Sequence, residues 1–259
     1  MDLQMAGKRY LVVGGSSGIG FAAARAIVDE GASVVIVGRD ESRLGAAVDR
    51  LSHRANGVSG DVSAERGADR VVERAVSLLG GLDGVAVTTG LIGHEPIGIT
   101  DERWVEVFRD VMLGTSRTVE ACLPYLIESR GSIVTTAAYS IRAPEIARLP
   151  YASMKSAVAT FTKGIAKAHG KDGVRANCIA PGAIETEALA RLRVQMADAR
   201  GYPLDEALER VMTDEWHLDI ALRRPGRPAE VGALIAFVLS PVAGYLTGSL
   251  INIDGGTNF

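Results

Sequence analysis

The sequence predicts an α/β fold in which one parallel sheet is wound twice and covered by helices on both faces. Three observations carry this. Short β-branched runs alternate with longer helical patterns along the chain, an order that calls for right-handed βαβ crossovers. The first run passes directly into a glycine-rich turn and an Ala-rich helical segment. With 259 residues, 47% of them hydrophobic, and no repeat or low-complexity linker, the chain is expected to build one core and one domain over 1–259.

Strands are expected at 10–13, 34–37, 85–88, 132–136, 175–179 and 250–253, with a weaker one near Val58. The intervening patterns read as helices at 21–30, 65–79, 104–126, 152–169 and 229–239, most bounded by Gly or Asp. Residues 185–224 break the rhythm with two charged amphipathic segments, 188–200 and 204–216. An insertion there lies beyond the C-terminal end of a strand, where open α/β sheets bind ligands. Its apolar stripe, including Leu189, Leu192, Met196, Leu208, Val211, Met212 and Trp216, suits either core and oligomer contacts or the wall of a site for a bulky apolar substrate.

The net charge of -3, with Lys and Arg scattered, leaves no footprint for nucleic acid or an anionic membrane, so a small molecule is the expected partner. Cys122 and Cys178 stand in apolar contexts without CxxC spacing and read as buried thiols of a reducing compartment. The four histidines, His53, His94, His169 and His217, lack ligand spacing, and no metal is expected. The first residues hold too short an apolar run for a signal peptide and no stretch has the length of a membrane span; a cytoplasmic location is expected.

In "VVGGSSGIGFAAARAIVDEG", Gly14, Gly18 and Gly20 fall between strand and helix, where missing side chains let backbone approach a pyrophosphate and the helix N-terminus stabilises its charge. Ser16, Ser17 and Ile19 share that turn and count among the cofactor contacts. At the end of the second strand Gly38 takes the place of the acid that would select NAD, and Arg39 follows. A guanidinium without an acid before it suits a 2′-phosphate, which favours NADP(H), with NAD(H) possible. The alternative makes Arg39 a solvated loop residue and Asp40 the N-cap of a helix from Glu41.

Tyr151 and Lys155 lie four apart, on one face of a helix. A phenol titrates near pH 10 and is a poor base at neutrality; a nearby ammonium, with the charge of an oxidised nicotinamide, favours the phenolate. Tyr151 would then accept a proton from an alcohol or donate one to a carbonyl.

Together the glycine-rich turn, Asp61-Val62, the Tyr151/Lys155 pair, "APGAIET" at 180–186 and "LTGSLINIDGG" near the C-terminus resemble the short-chain dehydrogenase/reductase family over essentially the whole chain. The resemblance implies a Rossmann-type fold and an NAD(P)(H)-dependent oxidoreductase that interconverts a secondary alcohol and a ketone. It also implies that Asp61 and Val62 flank the adenine, that Thr89, Gly90, Pro181 and Gly182 line the cofactor site, and that Ile184 and Thr186 contact the nicotinamide carboxamide. Lys155 would hold the nicotinamide ribose, and the C-terminal Gly-Gly segment would help form a homo-oligomer, a tetramer or dimer.

Three positions depart from that family's pattern. The serine thirteen before the tyrosine is Ala138, the relay-water asparagine is Val111, and the Asn-Asn-Ala-Gly turn reads Val87-Thr88-Thr89-Gly90. Ser140 or Thr136 could supply the missing hydroxyl, or the place is vacant. The erosion leaves two other readings open: a cofactor-binding regulatory or scaffold protein, or a non-redox reaction such as an elimination with Tyr151 as base. His94 and Glu95 are candidates for the cavity entrance.

Overall fold

A computed structural model describes residues 1–90, 97–142, 144, 148–215 and 220–257. His94, Glu95, Trp216 and His217 fall outside these residues. Seven strands form one parallel sheet in the order β3-β2-β1-β4-β5-β6-β7: β1 Arg9–Val13, β2 Ser33–Gly38, β3 Ala55–Ser59, β4 Gly84–Val87, β5 Ser132–Thr136, β6 Arg175–Pro181 and β7 Leu250–Ile253. β1, β2, β4, β5, β6 and β7 lie where the β-branched runs were expected, and the weak run near Val58 is a full strand, β3, paired to β2 from Val34↔Ala55 to Gly38↔Ser59. Its glycine and asparagine, Gly57 and Asn56, dilute the apolar signal because β3 is the sheet edge.

The central strands are buried on both faces, as a sheet sandwiched between helices requires. One apolar layer joins α1 (Gly18–Asp29), α2 (Glu41–Leu51) and a C-terminal helix to the sheet through residues such as Ile27, Ile36, Leu44 and Ile235. The opposite layer joins α3 (Gly67–Leu79) to the long helix before β5, through Val71, Val119, Leu126 and Ile133. The strand order reverses direction between β1 and β4, and the crevice beyond their C-terminal ends is the topological switch point.

The helix expected at 104–126 is interrupted. α4 (Asp101–Val107) runs into a π-helical turn, Phe108–Leu113, before α5 (Gly114–Ser129). Thr115 and Thr118 donate their hydroxyls back to the carbonyls of Val111, in the π turn, and Gly114, at the start of α5, at 2.7 and 2.6 Å. α6 (Leu149–His169) opens with Pro150 near its first position, where the missing N–H costs nothing.

The inserted segment forms α7 (Glu187–Arg200) and α8 (Ala207–Arg210), the latter continued by a π turn over Val211–Glu215. Arg193 ties it together, pairing with Glu185 at 3.0 Å and Glu209 at 2.9 Å. Its apolar stripe divides: Leu208, Val211 and Met212 are buried, Leu208 and Met212 in a cluster with Tyr139 and Ile220, while Leu189 and Leu192 reach a cavity. α9 (Pro228–Leu239) returns the chain to the sheet. Gly255 and Gly256, both at positive φ, accept hydrogen bonds from Leu222 and Ala221, so the C-terminal Gly-Gly segment anchors the exit of the insertion within its own chain. Cys122 and Cys178 are buried free thiols, and no described helix is long and apolar enough to cross a membrane.

Candidate functional site

Two adjoining cavities open at the switch point, sharing Thr88, Thr89 and Gly90 as a common wall. The first, about 430 Å³, is lined by Gly14, Ser16, Ser17, Gly38, Arg39, Asp61 and Val62, among others. α1 points its N-terminus at this crevice. Its N-cap, Ser17, makes no side-chain capping bond and its first turn carries no acid, so the positive end of the helix is left for an anion. Gly20 plays a different part from Gly14: a Cβ on Gly20 would stand 2.2 Å from the Gly14 carbonyl oxygen, so it lets the helix close onto the turn. Gly18 takes φ +54 and faces Thr186.

Asp40 caps α2 by accepting from the Arg43 amide at 2.9 Å, while Arg39 lines the cavity beside Gly38. Arg43 joins them at the wall, a residue that sequence reasoning missed although it stands one helical turn from Arg39. Asp61 accepts from the hydroxyl and amide of Ser63, at 2.7 and 2.9 Å. Burial works to raise its pKa, but those bonds and the charge of Arg39 outweigh it and hold the carboxyl below its usual range.

The second cavity, about 470 Å³, has Tyr151, Lys155, Ser140, Ala138, Ile19, Pro181, Gly182, Ile184 and Thr186 on its walls, with Leu189 and Leu192 from the insertion. Lys155 is buried and donates to the carbonyls of Thr136, at 2.8 Å, and Thr89, at 3.0 Å. Its Nζ lies 5.6 Å from the centre of the Tyr151 ring. A Cβ on Gly90 would approach that Nζ to 2.7 Å, which explains a glycine there.

The three alternatives for the missing serine, Thr136, Ser140 or a vacancy at Ala138, separate cleanly. Thr136 is committed elsewhere, its hydroxyl donating to the Val87 carbonyl. Ala138 contributes only a methyl group to the wall. Ser140, in a 3₁₀ turn over Tyr139–Ile141, is buried at the cavity, and its hydroxyl finds no hydrogen-bond partner among the described residues. An unsatisfied buried hydroxyl is costly unless a ligand completes it. Val111, fully buried, belongs to an apolar cluster with Ala137, Val158 and Cys178. Thr88, at the second asparagine position of the turn, donates its hydroxyl to the Val13 carbonyl at 2.8 Å and thereby ties the end of β4 to β1.

Burial pushes the Tyr151 phenol up to about 12, with the charge of Arg148 acting against it. It pulls Lys155 down to about 8. The chain by itself therefore does not produce the lowered phenol expected from the pair: desolvation outweighs the charge of Arg148 and keeps the phenol protonated. A pH dependence follows. Lys155 carries its charge below about 8 and loses it above, while Tyr151 keeps its proton to about 12, so kcat/KM for a reduction should fall as the pH rises through about 8. Lys155→Arg, whose guanidinium does not discharge, should retain weak activity and move that limb upward. A limb unmoved in the arginine variant would assign it to another group.

Residues 13–258 match the family model described as enoyl-(acyl carrier protein) reductase. The chain is 35% identical to L-fucose dehydrogenase of Mus musculus over 254 residues, 96% of this chain and 88% of the mouse protein. It is 27% identical to the 3-oxoacyl-[acyl-carrier-protein] reductase FabG of Chlamydia pneumoniae over the full length of both. The structure of L-sorbose reductase from Gluconobacter frateurii, complexed with NADPH and L-sorbose, superposes with a TM-score of 0.92 at 30% identity, covering 99% of this chain and 98% of that one.

Proposed function

Since the chain belongs to the short-chain dehydrogenase/reductase family, we propose that it is an NADP(H)-dependent oxidoreductase interconverting a secondary alcohol and a ketone, with Tyr151 as acid and base. When bound, the nicotinamide supplies or takes up the hydride. The first cavity offers what the dinucleotide needs: a glycine turn, an uncapped helix end for the pyrophosphate, and two guanidiniums at the ribose end. Pro181, Gly182, Ile184 and Thr186 line the nicotinamide end.

The observation that carries the reading is the convergence of Tyr151, Lys155 and the unsatisfied Ser140 hydroxyl on one cavity that adjoins the dinucleotide crevice through Thr88, Thr89 and Gly90. In reduction, Ser140 donates to the carbonyl oxygen and orients it, and Tyr151 passes its phenolic proton to that oxygen as it becomes an alkoxide. Lys155, held by two carbonyls, keeps a positive charge beside the phenol and stabilises it once the proton has gone. Oxidation runs the same transfers backwards.

Consumption of NADPH with a panel of ketones tests this reading; no turnover of any would favour the second one, a cofactor-binding protein with little catalysis. The apolar filling at Val111 and the methyl of Ala138 are what favour that alternative. Cofactor choice is checked separately. NADPH should bind more tightly than NADH, and Arg39→Asp should reverse the order by removing a phosphate contact and adding an acceptor for the ribose hydroxyl. Fluorescence titration of both cofactors measures it, and equal wild-type affinities would contradict the assignment. We extend the proposal to a homo-oligomer acting in the cytoplasm, which sizing by light scattering and fractionation test.

A further inference from the structure

The first cavity holds an acid that the chemistry above leaves unused. Asp110 lines it, half-buried, from the π turn between α4 and α5. The other acids of that wall are engaged. Asp40 caps α2 and lies 3.7 Å from the Arg43 guanidinium, and Asp61 accepts from the amide and hydroxyl of Ser63 through Oδ1. The Asp110 side chain makes no hydrogen bond or ion pair with any described residue. Its place along the wall follows from the helix it leads into. A Cβ on Gly114, about one turn further on, would stand 3.4 Å from Val62 Cγ2 and 3.7 Å from Ser63 Cβ, so this segment runs against the loop after β3. Asp110 therefore belongs to the Asp61–Val62 end of the first cavity, and it is not among the residues that line the second with Tyr151 and Lys155.

A carboxylate only accepts hydrogen bonds, and in a site built for phosphates it costs affinity unless a donor of the ligand meets it. The pyrophosphate goes to the N-terminus of α1 and the 2′-phosphate to Arg39 and Arg43. The ribose 3′-hydroxyl lies between those two anions, no place for a third negative charge. What remains on the adenosine half is the 6-amino group of the base, which carries a pair of N–H donors. We propose that Asp110 selects the adenine base, its carboxylate accepting one hydrogen of the 6-amino group while Oδ2 of Asp61, left open by the Ser63 bonds, accepts the other. The inference rests on the dinucleotide reading of the first cavity and adds how its base is told from other purines.

The probes are NADPH and its 6-deamino analogue, which carries hypoxanthine, with a carbonyl oxygen where the amino group was. Equilibrium titration of each by fluorescence reads the base preference without turnover. The wild type should bind NADPH about tenfold or more tightly than the analogue, which loses charge-assisted bonds and sets an oxygen against the carboxylates. Asp110→Asn, whose amide can turn an N–H toward that oxygen, should shrink this ratio by about tenfold, mainly through tighter binding of the analogue. Asp110→Val should shrink it as well, and both variants should keep the wild-type preference for NADPH over NADH, because the 2′-phosphate is held elsewhere. A base preference unchanged in both variants would overturn the proposal and leave Asp61 to read the base alone. So would an equal gain in affinity for NADPH and the analogue, which would make Asp110 a repulsive charge near the phosphates. A wild type that binds neither NADPH nor the analogue would instead remove the dinucleotide reading, and the proposal with it.

Discussion

Tyr151→Phe is expected to reduce ketone reduction by about a hundred- to ten-thousandfold, the range general acid catalysis supplies, while leaving NADPH affinity nearly unchanged. The substitution removes one oxygen and keeps the ring, which sits with Met154, Val111 and Val158 in an apolar cluster. Little packing is lost. Lys155→Ala differs because it strips a buried ammonium from the Thr89 and Thr136 carbonyls, leaving two acceptors unsatisfied, and removes the charge proposed to hold the ribose. It should lower both kcat and cofactor affinity. Single-turnover rates with saturating NADPH, beside equilibrium titration of NADPH, separate the two variants. Wild-type turnover in the phenylalanine variant would remove Tyr151 from the proton transfer.

Ser140→Ala carries the second large effect, about a hundred- to a thousandfold in kcat, the loss usual for one preorganised donor at a developing oxyanion. The hydroxyl is buried and unpartnered in the structure, so its removal should not cost stability, and the melting temperature should stay level or rise. Ala138→Ser in that background tests whether a hydroxyl at the older position substitutes for it. Ala138 is on the same cavity wall, nearly buried, and Thr136 is not available because its hydroxyl is held by Val87. Rescue of the Ser140→Ala loss by the added serine would show one donor position replacing the other. An active Ser140→Ala variant, with Ala138→Ser alone accelerating the reaction, would instead show that the place is vacant in the natural chain.

Much of this arrangement was legible in the sequence because it depends on backbone geometry and burial. Strands covered on both faces are written as β-branched runs, and the glycine turn after β1 is dictated by φ +85 at Gly14 and by the 2.2 Å approach at Gly20. β3 was faint because an edge strand needs less apolar surface. The interruption of the helix expected at 104–126 was not legible, since a single π turn displaces the apolar pattern by only one residue between two segments that each read as helix. Site residues that act through a wall rather than a motif were missed: Arg43, Arg148 and Arg191 become neighbours of the crevice only when α2, α6 and α7 are folded against it. Spacing along the chain offers Ser140 and Thr136 alike as donors, and burial without a partner distinguishes Ser140, a contrast that the sequence does not contain.

The central claim is hydride transfer to a carbonyl at this site, and isotopic tracing tests it most directly. The protein would be incubated with a ketone it consumes and with NADPH carrying deuterium at C4 of the nicotinamide, each diastereomer in turn, and the product examined by mass spectrometry and NMR. The account predicts deuterium from one diastereomer only, on the carbinol carbon of a secondary alcohol, with the hydroxyl proton drawn from solvent. A product formed without deuterium from either diastereomer, or an alkene released while NADPH is unconsumed, would contradict it and make Tyr151 the base of a different reaction.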